Sequence, residues 1–234
     1  MSNNQYWAIV PAAGIGKRMQ ADRPKQYLKL LNKTVIEHTL DRLLSLDEIS
    51  GVVLSISKDD EYWKELNYTS HKPILVAEGG TQRSDSVLNA LLLLQHKNKH
   101  LKNIYTLVHD AARPCVRALD IQALIHHTYQ NDNGGLLALP VRDTMKRSTE
   151  NTTVLKTVER DGLWHALTPQ MFKLDLLIDA LQSAQEKRLT VTDDASAMEL
   201  AGYHPRLVEA HEDNIKITRA FDLQLAKLYL ENQQ

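Results

Sequence analysis

Tyr6-Trp7-Ala8-Ile9-Val10-Pro11-Ala12-Ala13-Gly14-Ile15-Gly16-Lys17-Arg18-Met19 is the stretch from which the fold can be read. An apolar run of strand length leads into a loop of small residues, and cations follow at Lys17, Arg18 and Lys25. Small residues let backbone N–H groups close on an anion, and the cations neutralise its charge. The combination suits a polyphosphate such as a nucleoside triphosphate. Two common phosphate loops do not fit. A dinucleotide fingerprint needs a third glycine where Met19 stands. A P-loop needs Ser or Thr where Arg18 stands and a glycine where Pro11 stands. Gly14-x-Gly16 alone would be an ordinary strand-to-helix turn; the neighbouring cations and the Pro24-Lys25 restart point to phosphate binding.

Beyond this loop, apolar runs of strand length alternate with helical patterns. Strands are predicted at 6–10, 51–57, 74–77, 104–109, 135–141 and 206–209. Helices are predicted at 34–46, 59–67, 84–96, 118–130, 173–187, 193–201 and 218–231. Several strands are apolar without alternation, as expected when both faces of a sheet are covered. Thr34-Val35-Ile36-Glu37 reads as a capping box. The rhythm predicts an α/β fold with a mostly parallel sheet and helices on both faces, its ligands bound at the carboxyl ends of the strands. Residues 142–165 break the rhythm as two short polar strands around a turn. Such a hairpin buries little by itself, so it reads as a flap or as an arm that packs on another subunit.

The 234 residues fit one α/β domain, residues 1–234, with 142–165 as a subregion. Net charge is −1, so no global basic field draws the chain to nucleic acid; its cations are local clusters suited to a small anion. Cys115 is the single cysteine, which excludes an intrachain disulfide and points to a reducing, cytoplasmic setting. The start, Met1-Ser2-Asn3-Asn4-Gln5, lacks the plan of a signal peptide, and no apolar run reaches a membrane span of ~20 residues. The histidines show no metal-ligand spacing, and there is no Gly-x-Ser-x-Gly elbow.

The strand-end rule directs attention to several loops. Glu78-Gly79-Gly80-Thr81-Gln82-Arg83-Ser84-Asp85-Ser86 offers two glycines for close approach, with Ser84 or Asp85 as a helix cap. His109-Asp110-Ala111-Ala112-Arg113-Pro114 puts a carboxylate at a strand end. Asp110 there suits magnesium, a ribose hydroxyl or a basic side chain, and Arg113 suits a phosphate or a pair with Asp110 that ties down the loop. Thr192 or Asp193 is placed to cap the helix after 190–193.

Taken together, these segments resemble the 2-C-methyl-D-erythritol 4-phosphate cytidylyltransferase family. The matching pieces are Pro-Ala-Ala-Gly-x-Gly-x-Arg-Met (11–19), Pro-Lys-Gln-Tyr-Leu (24–28), Gly-Gly-x-x-Arg-x-x-Ser-Val (79–87), Val-His-Asp-Ala-Ala-Arg-Pro (108–114), Pro-Val-Arg-Asp-Thr-Met-Lys (140–146), Arg-x-Gly-Leu-Trp-x-Ala-Leu-Thr-Pro-Gln (160–170), Val-Thr-Asp-Asp-Ala-Ser (191–196) and Asp-Asn-Ile-Lys-Ile-Thr (213–218). They fall in family order from about Tyr6 to Leu230.

The resemblance implies a Rossmann-like nucleotidyltransferase fold with a protruding β-arm. It also implies transfer of CMP from CTP to methylerythritol phosphate with release of pyrophosphate, by in-line attack on the α-phosphorus. By the family pattern, Arg18, Lys25, Arg160 and Lys216 are catalytic. Ala12, Ala13, Gly14, Gly16, Lys25, Gly80, Thr81, Ser86, Asp110 and Ala111 hold CTP. Asp110, Arg113, Thr144, Arg160, Thr192 and Lys216 hold the second substrate. Mg²⁺ bridges the nucleotide phosphates without an assigned protein ligand. The family pattern is a homodimer in which the 142–165 arm carries Arg160 to the partner's site. One departure stands out: Thr81 occupies a place where the family often has an acidic residue. The readings weighed against this one are a ribitol-5-phosphate cytidylyltransferase, a sugar-1-phosphate nucleotidyltransferase and a nucleotide sensor without catalysis.

Overall fold

A computed structural model of the chain describes residues 4–14, 19 and 23–233. Within them, β1 (Gln5–Pro11), β4 (Ile49–Ile56), β5 (Ile74–Glu78), β6 (Ile104–Val108), β7 (Gly135–Pro140), β10 (Trp164–Lys173) and β11 (Arg206–Glu209) form one sheet in the order β11-β7-β10-β6-β1-β4-β5. β4, β1 and β6 pair parallel, as do β4 with β5 and β7 with β11. β10 alone runs antiparallel to both its neighbours. The mostly parallel sheet expected from the sequence is present.

Side chains explain why. Along β1, Trp7 and Ile9 face one core while Ala8 and Val10 face the other. The first core lies under α3 (Arg83–Lys97), α5 (Leu174–Glu186) and α6 (Asp194–Leu200). The second lies under α1 (Val35–Leu44) and α4 (Ala118–Thr128). Burial on both faces is what removes the polar alternation from these strands. A third cluster, containing Cys115, Val35 and Ile217, packs on α7 (Ala220–Asn232). Among the described residues, no helix is long and apolar enough to cross a membrane.

Local chemistry sets the helix starts. The Thr34 side chain accepts from Glu37 N, and Glu37 Oε2 takes the Thr34 N–H at 2.7 Å, so the capping box is real. α3 starts one residue early: Gln82 is the cap, and Asp85 at the third helical position takes the Gln82 N–H at 3.0 Å. Asp193, not Thr192, caps α6 through Ser196 N at 3.0 Å. α2 (Tyr62–Glu65) is far shorter than the helix predicted over 59–67. The side chain of Asp60 binds Trp63 N at its start, and Asn67 turns to φ 46° after its end.

β10 is the strand of the main sheet that was not predicted. Pro169 stands in its middle, and proline cannot donate to a ladder. The strand accommodates it at an irregularity where the register against β7 shifts between Ala166 and Gln170.

A further hairpin, β2 (Lys29–Leu30) and β3 (Lys33–Thr34), precedes α1. The polar arm is the two-stranded hairpin β8 (Met145–Ser148) and β9 (Val154–Val158), which pair with each other and not with the main sheet. Val154 and Leu155 on it are 66% and 61% exposed, so the arm carries apolar side chains with no cover from this chain's core.

Candidate active site

The carboxyl ends of β1, β4, β5 and β6 meet at one cleft of about 210 Å³. Backbone bonds continue past the strands. Ala12 N binds Ser55 O at 2.7 Å, Gly79 N binds Ile56 O at 2.7 Å, and His109 N binds Ile9 O at 2.8 Å. A Cβ on Gly79 would sit 2.3 Å from Ala13 Cβ, so only glycine lets the loop after β5 touch the loop after β1. Gln26 Nε2 donates to Ala12 O at 2.5 Å and fixes the start of the small-residue loop.

Of the residues singled out from the sequence, Ala12, Ala13, Gly14, Lys25, Gly80, Thr81, Ser86, Asp110, Ala111 and Lys216 line this cleft. Residues from Ala12 to Lys216 are thus gathered around one space. Arg18 and Gly16 lie outside the described residues. Arg113 is buried behind the cleft: its Nη1 donates to Asn214 O at 2.7 Å, and its Nε lies 3.4 Å from Asp110 Oδ2. Of the two readings of Arg113, the geometry fits the loop-tying pair. Thr144, Arg160 and Thr192 are exposed and do not line the cleft in this chain. Arg160 instead donates to Arg142 O at the base of the arm.

Asp110 is the centre of the electrostatics. Arg83 Nε donates to its Oδ1 at 3.0 Å, and Lys216 Nζ lies 2.8 Å from its Oδ2. Burial pushes this carboxyl up, but Arg83, Lys216 and Arg113 outweigh it and hold it well below the usual carboxylate range. The three cations favour the ionised form of Asp110. Arg83 also reaches Asp194, with Nη1 2.9 Å from Oδ2. Neither Asp194 oxygen has an aligned hydrogen-bond donor among the described residues, so the pair is held by charge. Burial raises the Asp194 carboxyl, and Arg83 offsets only part of that.

Lys216 is delivered by a braced segment. Ile217 N binds Ala112 O at 2.9 Å, and Asn214 Nδ2 binds Thr168 O at 2.8 Å. Thr168 also organises the Asp110 loop. Asp110 N–H donates to Thr168 Oγ1 at 3.1 Å, the hydroxyl lies 3.0 Å from His109 Nδ1, and His109 Nε2 lies 3.0 Å from Arg113 O. All three bonds are satisfied by a neutral imidazole protonated on Nε2. Burial supports that form, pushing His109 down to about 4.

Arg83, Thr168 and Asn214 lie within the sequence motifs but have no role that the motifs alone assign. The available signal was the type of Arg83: a cation at the start of a helix, where the dipole disfavours positive charge, has a reason to be there. Among the described residues, Lys25, Arg83 and Lys216 stand against Asp110, three cations to one carboxylate in the lining of the cleft. Such a site holds a polyanion and can stabilise charge that develops on transferred phosphorus.

The family model of 2-C-methyl-D-erythritol 4-phosphate cytidylyltransferase (IspD) matches residues 6–232. The chain belongs to this family. A protein of that name from Vibrio vulnificus (strain YJ016) is 50% identical over 227 residues, covering 97% of this chain and 95% of its own length. Another from Haemophilus influenzae (strain PittEE) is 48% identical over 223 residues, covering 95% of each. Among solved structures, the Francisella tularensis 2-C-methyl-D-erythritol 4-phosphate cytidylyltransferase superposes with a TM-score of 0.84 at 36% identity, covering 97% of this chain and 100% of that one. A 4-diphosphocytidyl-2C-methyl-D-erythritol synthase superposes with a TM-score of 0.85 at 31% identity, covering 97% and 99%. The cleft therefore belongs to a nucleotidyltransferase of this family.

Proposed function

We propose that this chain transfers the cytidylyl group of CTP to 2-C-methyl-D-erythritol 4-phosphate. A phosphate oxygen of the second substrate forms a bond to the α-phosphorus. The bond from that phosphorus to the bridging oxygen breaks, and pyrophosphate leaves with the electron pair. The incoming phosphate is already ionised near neutral pH, so no strong general base is required. The protein's task is to align two anions and stabilise the crowded phosphorus. The observation that carries this reading is the cationic cleft at the strand ends, built from the family's own motifs.

In this reading Lys25 and Arg18 stabilise charge at the α-phosphorus, and the Ala12–Gly16 loop wraps the triphosphate. Gly80, Thr81 and Ser86 read the base. Asp110, anchored by three cations, is held between the ribose and the second substrate, which Lys216 helps to position. Arg113 serves by keeping Asp110 and the Asn214 segment in place. Among the described residues, no group of three or more His, Cys, Asp or Glu side chains could hold a metal ion. The cleft's own carboxylate, Asp110, already accepts from cations. A Mg²⁺ ion arriving with the nucleotide would supply charge neutralisation in this cleft without a dedicated protein carboxylate to hold it.

Thr144 and Thr192 help to hold the second substrate, and Arg160 completes its site when two copies associate as a homodimer, the 142–165 arm of one chain carrying Arg160 to its partner. The exposed Val154 and Leu155, and a cleft lining that does not include the same chain's Arg160, support that arrangement. The 234 residues act as one nucleotidyltransferase domain, and the single buried thiol, Cys115, suits the cytoplasm.

Pyrophosphate release should be fastest with CTP and methylerythritol phosphate. Preference for ribitol phosphate would overturn the substrate assignment, and tight CTP binding without turnover would make the chain a sensor. The arm has its own test. Lys25→Ala and Arg160→Ala homodimers should each be nearly inactive, while mixed dimers regain about a quarter to a half of wild-type turnover, one intact site of two. Verified mixed dimers with no activity would place Arg160 in its own chain's site.

A further inference from the structure

Thr81 lines the cleft, and its Oγ1 lies 2.9 Å from Asp85 Oδ2. An ionised carboxylate only accepts, so the threonine proton is directed at Asp85. What Thr81 offers a ligand is then lone pairs alone. Asp85 is fixed where it stands. Its Oδ2 also takes the Gln82 N–H at 3.0 Å at the start of α3. Gly80 packs directly against it, for a Cβ there would meet Asp85 Cβ at 2.2 Å. The neighbouring hydroxyl of Ser86 is committed in the same sense, donating to Gln82 O at 3.1 Å and accepting from Gly80 N at 3.0 Å. Both hydroxyls at this end of the cleft have spent their protons inside the chain.

We propose that the Thr81–Asp85 pair is a base-discriminating device: Asp85 orients the Thr81 hydroxyl as an acceptor, which favours a pyrimidine carrying a ring amino group over one carrying a carbonyl at the same position. Cytosine presents N–H to such an acceptor; uracil presents a second acceptor, and the two oxygens repel. Thr81 touches the base, and Asp85 is a positioning residue acting through it. The carboxylate that the family often carries at position 81 is replaced here by a hydroxyl backed by a carboxylate one helical turn away. The inference rests on the cytidylyltransferase reading of the cleft and assigns how that site chooses its nucleotide.

The test is the ratio of kcat/KM for CTP to that for UTP in the full-length protein, with dissociation constants for both nucleotides measured alongside by calorimetry. Thr81→Val should lower the ratio about tenfold, the worth of one hydrogen bond, chiefly through KM for CTP. Asp85→Ala should lower it by a similar factor by improving UTP, because the hydroxyl, no longer held by an acceptor, can then donate to the uracil carbonyl. Thr81→Ser should retain the wild-type ratio. A gain in UTP use is not what a damaged helix cap produces, which separates this role from a structural one. Ratios within about twofold of wild type in folded Thr81→Val and Asp85→Ala would overturn the proposal. Absence of turnover in the wild type would count against the transferase reading alone, since the ratio of dissociation constants still decides this one.

Discussion

Replacing Lys25 by alanine is expected to lower kcat by about two to three orders of magnitude, the usual cost of losing one donor aimed at developing charge. The ammonium lies in the cleft on a short 3-10 turn, Lys25–Tyr27, entered from Pro24 at φ −57°. That turn is anchored by its other members. Gln26 binds Ala12 O, and the buried Tyr27 donates its hydroxyl to Asp60 Oδ2 at 2.9 Å. The side chain of Lys25 itself donates to Ile217 O at 2.8 Å, beside Lys216. Removing it therefore takes away a cation while the turn and its two anchors remain. The effect belongs in kcat, because the charge at phosphorus is greatest in the transition state. Steady-state pyrophosphate release with both substrates saturating measures it, and Lys25→Arg should recover part of the loss. A change confined to KM, with kcat within about threefold of wild type, would remove Lys25 from the chemical step.

The framework of this protein is legible in its sequence where burial is two-sided. β1, β4, β6 and β7 are apolar runs because helices cover both faces. The strand-end rule then found the cleft, since loops after parallel strands converge by topology. β10 escaped because Pro169 is a local signal against a strand, whereas the irregularity that tolerates it is a property of the assembled sheet. Arg83 escaped for a related reason. Its partners, Asp110 and Asp194, are 27 and 111 positions away, and local periodicity carries no information about which charges meet. Arg113 shows the converse. Its place in a motif suggested either a phosphate or Asp110, and its bond to Asn214 O, 101 positions away, could not be read from that motif.

Arg83→Met should cost about 3 kcal/mol of stability, because it removes the cation that two carboxylates share. The two do not lose equally. Asp110 keeps Lys216 at 2.8 Å and Arg113 at 3.4 Å. Asp194 is 1% exposed at the start of α6, and Arg83 is its cation. Its carboxylate would be left buried with only the weak field of the helix start. Two consequences follow from that asymmetry. Asp194→Asn should be destabilising by itself but should restore about 1–2 kcal/mol in the Arg83→Met background, where it deletes an uncompensated charge. The deficit of Arg83→Met should also depend on pH. Burial raises the Asp194 carboxyl already in the wild type, and losing Arg83 raises it further. A folded state that holds its proton more tightly than the unfolded chain is stabilised as pH falls through the folded-state pKa, so the deficit shrinks from about pH 8 to about pH 5. Urea unfolding of the single and double variants at both pH values reads all of this. Strictly additive variants with a pH-independent deficit would mean that Asp194 is not carried by Arg83. Arg83→Lys should keep Asp110 ionised and cleft-facing but reach only one of the two carboxylates, since an ammonium is a single point charge where the guanidinium is a fork.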